Sequence, residues 1–166
     1  MNDQNPLTDS LTGLASQWHF DLIFDFVFEL GDRGVPMTLV LFEIDGLSAH
    51  IAERGGDAKE AAIGGFGGKL AQVSRKMDLM ARYGDERFMC LLLQCNVQGG
   101  MVFADRIRSD AEEFTAATGL TLSAGVSAYT AEMKERDDLS TSVRRCLEAA
   151  QLAGGDRVGL PQDVAE

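Results

Sequence analysis

The chain has 166 residues and carries 15 Lys and Arg against 26 Asp and Glu, a formal net charge of −11 at pH 7. That balance excludes a surface built to neutralise a phosphate backbone, so no nucleic-acid partner is expected. With 45% hydrophobic and 25% charged residues, the composition is that of one soluble globular domain, long enough to bury a core without a disulfide or metal staple. Cys90, Cys95 and Cys146 contain no C-x-x-C pair, and only His19 and His50 could join them. Free buried thiols in a reducing cytoplasm are therefore expected rather than a zinc site. No apolar run approaches the roughly 18 residues of a membrane span, and the first residues lack the basic-then-apolar order of a signal peptide. The start just before an organised segment predicts a single domain over 1–166, cut from a longer chain.

Ser16 is placed to cap a helix running to about Glu29, with Trp18, Leu22, Phe26 and Leu30 near helical spacing and Gly31 and Gly34 marking its end. Trp18, Phe20, Phe24, Phe26 and Phe28 are too many for one buried stripe, which predicts a second contact for this helix with another domain or subunit. The run MTLVLFEI over 37–44 follows Pro36 and suits a central strand covered on both faces. Polar and small residues over 45–54 read as a link into a long helix over 58–75. Its glycines at 64, 65, 67 and 68 demand either close packing or a local irregularity. They do not form a phosphate loop, because Ile63 and Leu70 stand where that motif needs Gly and a hydroxyl, and Leu70 also ends a G-x-G-x-x-G reading from Gly65. Strands over 79–83 and 88–93 flank the link Gly84-Asp85-Glu86-Arg87 as a hairpin. After Gly99-Gly100 come a helix over 102–117, a strand over 120–128, a helix over 139–153 and a short strand over 157–160. The order predicts an α/β domain with a mixed sheet covered by helices.

The segment RKMDLMARYGDERF, from Arg75 to Phe88, resembles the signature region of GGDEF domains, the diguanylate cyclases that condense two GTP into cyclic di-GMP. The resemblance runs from DSLTGL at 9–14 to LSAGVS at 122–127 without a gap. It implies a nucleotidyl-cyclase-like sheet with a signature β-hairpin, in agreement with the element order. In that register the signature falls on Gly84, Asp85, Glu86, Arg87 and Phe88. Glu43 and Glu86 stand where the family holds Mg²⁺. Asp85 sets a negative side chain where the triphosphate should lie, and Arg87 a cation where a carboxylate should help activate the hydroxyl. Both oppose a reaction that depends on positioning and charge compensation. The family's guanine-recognising Asn and Asp fall on Ile51 and Glu60, and its phosphate-binding Lys and Arg on Gln151 and Gly155. An alternative register makes Asp85 and Glu86 the acidic pair, but a one-residue slip would exchange the faces of the hairpin strand.

Arg75 and Asp78 form R-x-x-D at the spacing of the family's product-binding inhibitory site, and Arg106 falls where its second arginine lies. Arg can donate twice to guanine O6 and N7, and a carboxylate can accept from the guanine N1–H and amino group. Taken alone, Arg75 and Asp78 also suit an i,i+3 ion pair at a helix end. The resemblance thus implies a catalytically inactive cyclic di-GMP receptor binding through Arg75, Asp78 and Arg106. No catalytic residue, metal or cofactor is expected, and Mg²⁺ enters only if the domain is instead a weak cyclase. A ligand-free scaffold is the third reading. A protein partner or fused domain, a ligand-bridged dimer, a cytoplasmic location and no membrane contact complete the expectation.

Overall fold

A computed structural model describes residues 6–164. Helix α1 (Gln17–Phe28) starts where Ser16 accepts a hydrogen bond from the His19 N–H at 3.2 Å. A single 3₁₀ turn leads into β1 (Met37–Asp45), which is followed by α2 (Leu47–Arg54) and α3 (Gly56–Val73). The hairpin strands are β2 (Leu79–Arg82) and β3 (Arg87–Leu93). Helices α4 (Val97–Asp110) and α5 (Glu112–Thr118), strand β4 (Thr121–Ala128), helix α6 (Arg136–Leu152) and strand β5 (Val158–Gly159) complete the order.

The five strands form one mixed sheet in the order β2-β3-β1-β4-β5. β1 is antiparallel to β3, with Glu43 opposite Arg87, and antiparallel to β4, while β4 and β5 run parallel. The period-2 alternation of a strand divides the apolar run of β1 between two cores. Leu39 and Leu41 join Met89 and Leu91 of β3 against α1 and α6, while Val40 and Phe42 join Phe88 and Cys90 against α3 and α4. The continuous apolar sequence of this strand therefore reflects helices on both faces rather than parallel neighbours.

Three expectations are corrected. The stretch expected to be a polar link before α3 contains helix α2, which turns off β1 at Gly46 and is anchored by the buried Leu47. α4 begins at Val97 rather than 102, capped by Asn96, whose Oδ1 accepts from the Gly99 N–H at 2.9 Å. The helix expected over 102–117 is two helices, α4 and α5, parted at Ala111. The helix is unbroken across its glycines, and close packing accounts for Gly67, where a Cβ would lie 2.5 Å from the Thr12 Cβ, while a Cβ on Gly68 would meet open space.

Candidate functional site

Two regions bear on chemistry, and they sit at opposite ends of the β2–β3 strand pair. The first is the signature hairpin. Gly84 holds a φ of 80°, which a residue without Cβ adopts at little cost, and the Tyr83 N–H closes the turn on the Arg87 carbonyl at 2.8 Å. Behind the turn Phe88 is fully buried, its ring 4.8 Å from that of Phe66 on α3. This packing leaves Arg87 beside Glu43 across the β1–β3 ladder, where its Nε donates to Glu43 Oε2 at 2.5 Å. The other Glu43 oxygen accepts from Gln151 Nε2 at 2.9 Å.

The remaining acids are occupied too. Lys59 of α3 forms an ion pair with Asp85 and a longer one, 3.5 Å, with Glu86. The hydrogen bond between them holds the Asp85 carboxyl below its ordinary range and raises the Lys59 ammonium. Asp45 accepts from the hydroxyls of Thr121 and Ser123, both at 2.8 Å, and from the Asp156 N–H at 3.0 Å. A divalent cation needs several carboxylate or carbonyl oxygens turned to one point. As arranged, these residues do not fit one: Glu43 and Asp45 turn their oxygens to donors of the chain, Glu86 meets only Lys59 at 3.5 Å, and no group of three potential ligands occurs among the described residues.

Around the hairpin, Ile51 on α2 packs against the core and Glu60 on α3 faces a cleft shared with Lys59 and Arg82. Gly155 offers no side chain and lies against Asp45. Sequence reasoning missed Lys59 and the Arg82–Asp9 ion pair at 3.2 Å, since their partners come from other elements and no local spacing announces them.

The second region is a cleft of about 490 Å³ between the turn before β2, the end of β3 and the first turns of α4. It brings together Arg75, Asp78 and Arg106. α3 ends at Val73, so Arg75 and Asp78 sit in the turn beyond it rather than on a helix face, and the Asp78 N–H donates to the Arg75 carbonyl at 3.1 Å. Burial pushes the half-buried Asp78 carboxyl above its ordinary range, opposed by a backbone hydrogen bond from Leu93 and by the Arg75 charge. Arg82, Arg87, Arg108 and Arg136 are each held by a carboxylate. Arg75 and Arg106 are exposed, and among the described residues neither has a carboxylate within ion-pair distance.

The cleft also contains residues that the sequence did not single out. Gln94 sits at φ 52°, unusual for a residue with a side chain, and turns the chain from β3 toward α4 beside Gln98 and Phe103. The Asn96 cap was the available signal for this turn, masked by the two glycines that follow it. Cys95 lines the cleft and is half-buried, whereas Cys90 and Cys146 are buried, and all three are free. Burial raises each thiol above its ordinary value, that of Cys146 to about 11.

Comparison with known proteins matches this architecture to one family. The profile described as diguanylate cyclase, GGDEF domain, matches residues 7–157. Diguanylate cyclase A of Treponema denticola is 23% identical over 165 residues, covering 94% of this chain and 44% of that protein. The response regulator PleD of Caulobacter vibrioides is 30% identical over 134 residues, covering 76% of this chain and 30% of that protein. The chain thus spans less than half the length of either curated relative. The crystal structure of the GGDEF domain of DgcB from Caulobacter crescentus in complex with c-di-GMP superimposes with a TM-score of 0.87 at 20% identity, covering 96% of this chain and 98% of that one. No described helix is long and apolar enough to cross a membrane. With a profile match over nearly its whole length and a sheet of the same build, the chain belongs to the GGDEF domain family of diguanylate cyclases.

Proposed function

We propose that this domain is a cyclic di-GMP receptor that has lost diguanylate cyclase activity and relays ligand binding to a protein partner. The observation that carries the reading is the pair of exposed arginines, Arg75 and Arg106, which among the described residues have no carboxylate within ion-pair distance and line one cleft with Asp78 in an otherwise acidic protein. Their charge suits a dianionic ligand, their guanidinium planes can stack on or donate to guanine, and the Asp78 carboxylate can accept from the guanine N1–H and amino group. The related DgcB domain crystallised with c-di-GMP adds support.

Loss of catalysis is supported from the other region. Glu43 is paired with Arg87 and accepts a hydrogen bond from Gln151, and Glu86 faces Lys59. Asp85, Ile51 and Gly155 replace groups that the family uses to hold GTP. Restoring one of these leaves the rest absent, so Arg87→Glu alone recovers no activity.

Titration calorimetry with cyclic di-GMP and, separately, with GTP and Mg²⁺ tests the reading, alongside a chromatographic assay for product. Heat with cyclic di-GMP, none with GTP and no product is the expected result. Product above a no-protein control would establish the cyclase instead. Silence toward both nucleotides would leave the ligand-free scaffold.

A further inference from the structure

The structure divides the aromatic residues of α1 between two faces. Phe20, Phe24 and Phe28 are buried against the sheet and α6, while Trp18, Leu22 and Phe26 remain 59%, 53% and 73% exposed. These three recur every fourth residue and so form one outer ridge, about 12 Å long at 1.5 Å per residue. Asp21, Asp25 and Glu29 recur at the same spacing and form an acidic row beside it. Arg136 answers Asp21 at 2.9 Å and Asp25 at 2.6 Å, and Glu29 has no cation within ion-pair distance among the described residues.

The row continues into a pocket of about 290 Å³ between the end of α1 and the start of α6. Four carboxylates, those of Asp25, Glu29, Glu135 and Asp137, line it against two cations, Lys134 and Arg136. α1 carries no basic residue in its last turn to offset the negative end of its dipole. An apolar ridge flanked by an acidic row and ending at an acidic pocket matches a helix with the complementary stripes.

We propose that the outer face of α1 and this pocket dock a basic amphipathic helix of a protein partner. Its apolar side chains cover Trp18, Leu22 and Phe26, and a Lys or Arg enters the pocket. The ridge supplies the dry centre of such an interface and the carboxylates its charged rim. An anionic lipid surface is repelled by the acidic row and the net charge of −11. A two-fold antiparallel pairing of α1 with itself would set the two acidic rows against each other. The surface shares no residue with the cleft of Arg75, Asp78 and Arg106, so its occupancy can be tested whatever that cleft binds.

Trp18 is the only tryptophan of the chain, and its fluorescence therefore reports on the ridge directly. The probe is a synthetic helical peptide of about 18 residues, roughly five turns, with a leucine stripe flanked by lysines, and its twin with glutamate for lysine. The lysine peptide should shift Trp18 emission to the blue saturably and less tightly as salt rises, while the glutamate twin gives no shift. Phe26→Ala, Leu22→Ser and Glu29→Lys should each weaken binding by about tenfold, with melting temperatures like the parent's because all three positions are exposed. Asp57→Lys, an exposed acid on α3 across the sheet, should leave it unchanged.

Equal shifts from both peptides, no shift from either, or equal losses in Asp57→Lys and Glu29→Lys would overturn the proposal. So would sedimentation as a dimer that Phe26→Asp dissociates, which would assign the ridge to a second copy of the chain.

Discussion

The signature hairpin and the cleft beside α4 are both rich in charge, yet they treat it in opposite ways. At the hairpin Arg87 pairs with Glu43 and Lys59 with Asp85 and, at longer range, Glu86, so each of these acids meets a cation from within the chain. At the cleft, Arg75 and Arg106 have no carboxylate within ion-pair distance among the described residues, beside an Asp78 carboxyl that burial raises. The proposed function accords with this difference: charges paired within the chain offer a ligand little, whereas solvated, unpaired charges can be taken up by one. The contrast gives a physical form to a distinction that the sequence drew only from the register of its motifs.

The largest effect that can sharpen this contrast is stabilisation by ligand. A ligand held only by the folded state adds about 2.7 kcal/mol at a hundredfold excess over its dissociation constant, worth about 5–10 °C in a domain of this size. Cyclic di-GMP should produce that rise in a thermal melt and GTP with Mg²⁺ should not. Equal shifts would reopen the hairpin as a nucleotide site.

Next in size are the cleft variants. Loss of a bidentate Arg–guanine contact is worth about 1–3 kcal/mol, so calorimetry should show Arg75→Ala weakening cyclic di-GMP roughly tenfold to a hundredfold. Arg106→Ala should weaken it too, and Asp78→Asn should do so by turning a donor toward the guanine donors. Parent-like affinity in both Arg75→Ala and Asp78→Asn would erase the distinction between the regions.

Asp78 also sets a pH dependence. Binding uses its carboxylate, so affinity should fall as pH falls through a carboxyl pKa that lies above the ordinary 3.8. In the free domain the sign is reversed, because a raised carboxyl pKa favours the fold when protonated and that contribution is lost as pH rises past it. Titrations across mildly acidic pH, with and without ligand, should therefore move in opposite directions.

A smaller effect belongs to the hairpin as a structural element. Burial and the 2.9 Å bond to Asp21 raise the Tyr83 phenol to about 12. The unfolded chain ionises first, so stability should be lost as pH climbs from about 10 toward 12. Tyr83→Phe should cost about 1 kcal/mol at neutral pH in denaturant unfolding and flatten that alkaline loss. Smallest of all are Glu43→Gln and Arg87→Ala. Their pair is partly solvent-exposed, so each should cost under about 1 kcal/mol and leave cyclic di-GMP affinity unchanged. Abolished binding in either would place the ligand at the hairpin.

Much of the fold is legible in residues that act locally. Ser16 caps α1 through a hydrogen bond three residues along, and the apolar run of β1 needs only its length and the preceding Pro36 to declare a covered strand. What escapes is set by distant contacts. α2 is short and has only Leu47 and Ile51 as large apolar residues, and it forms because Leu47 drops into the core after the Gly46 turn. The early start of α4 is hidden by Gly99 and Gly100, since Gly100 is read as a breaker when it instead lets the helix approach Thr38 and Val126.

The sequence by itself determined the order of the strands and of the longer helices, the acidic balance and the candidate cleft residues, the last through a resemblance carried by R-x-x-D and its register. Only the tertiary structure decided that Arg75, Asp78 and Arg106 line one cleft and that Arg87 and Lys59 close the hairpin. It also decided which aromatics of α1 face outward. Capping, alternation and turn chemistry are written within a few residues, but an ion pair or a shared cleft depends on which elements the sheet sets side by side. That choice emerges only when both cores pack at once.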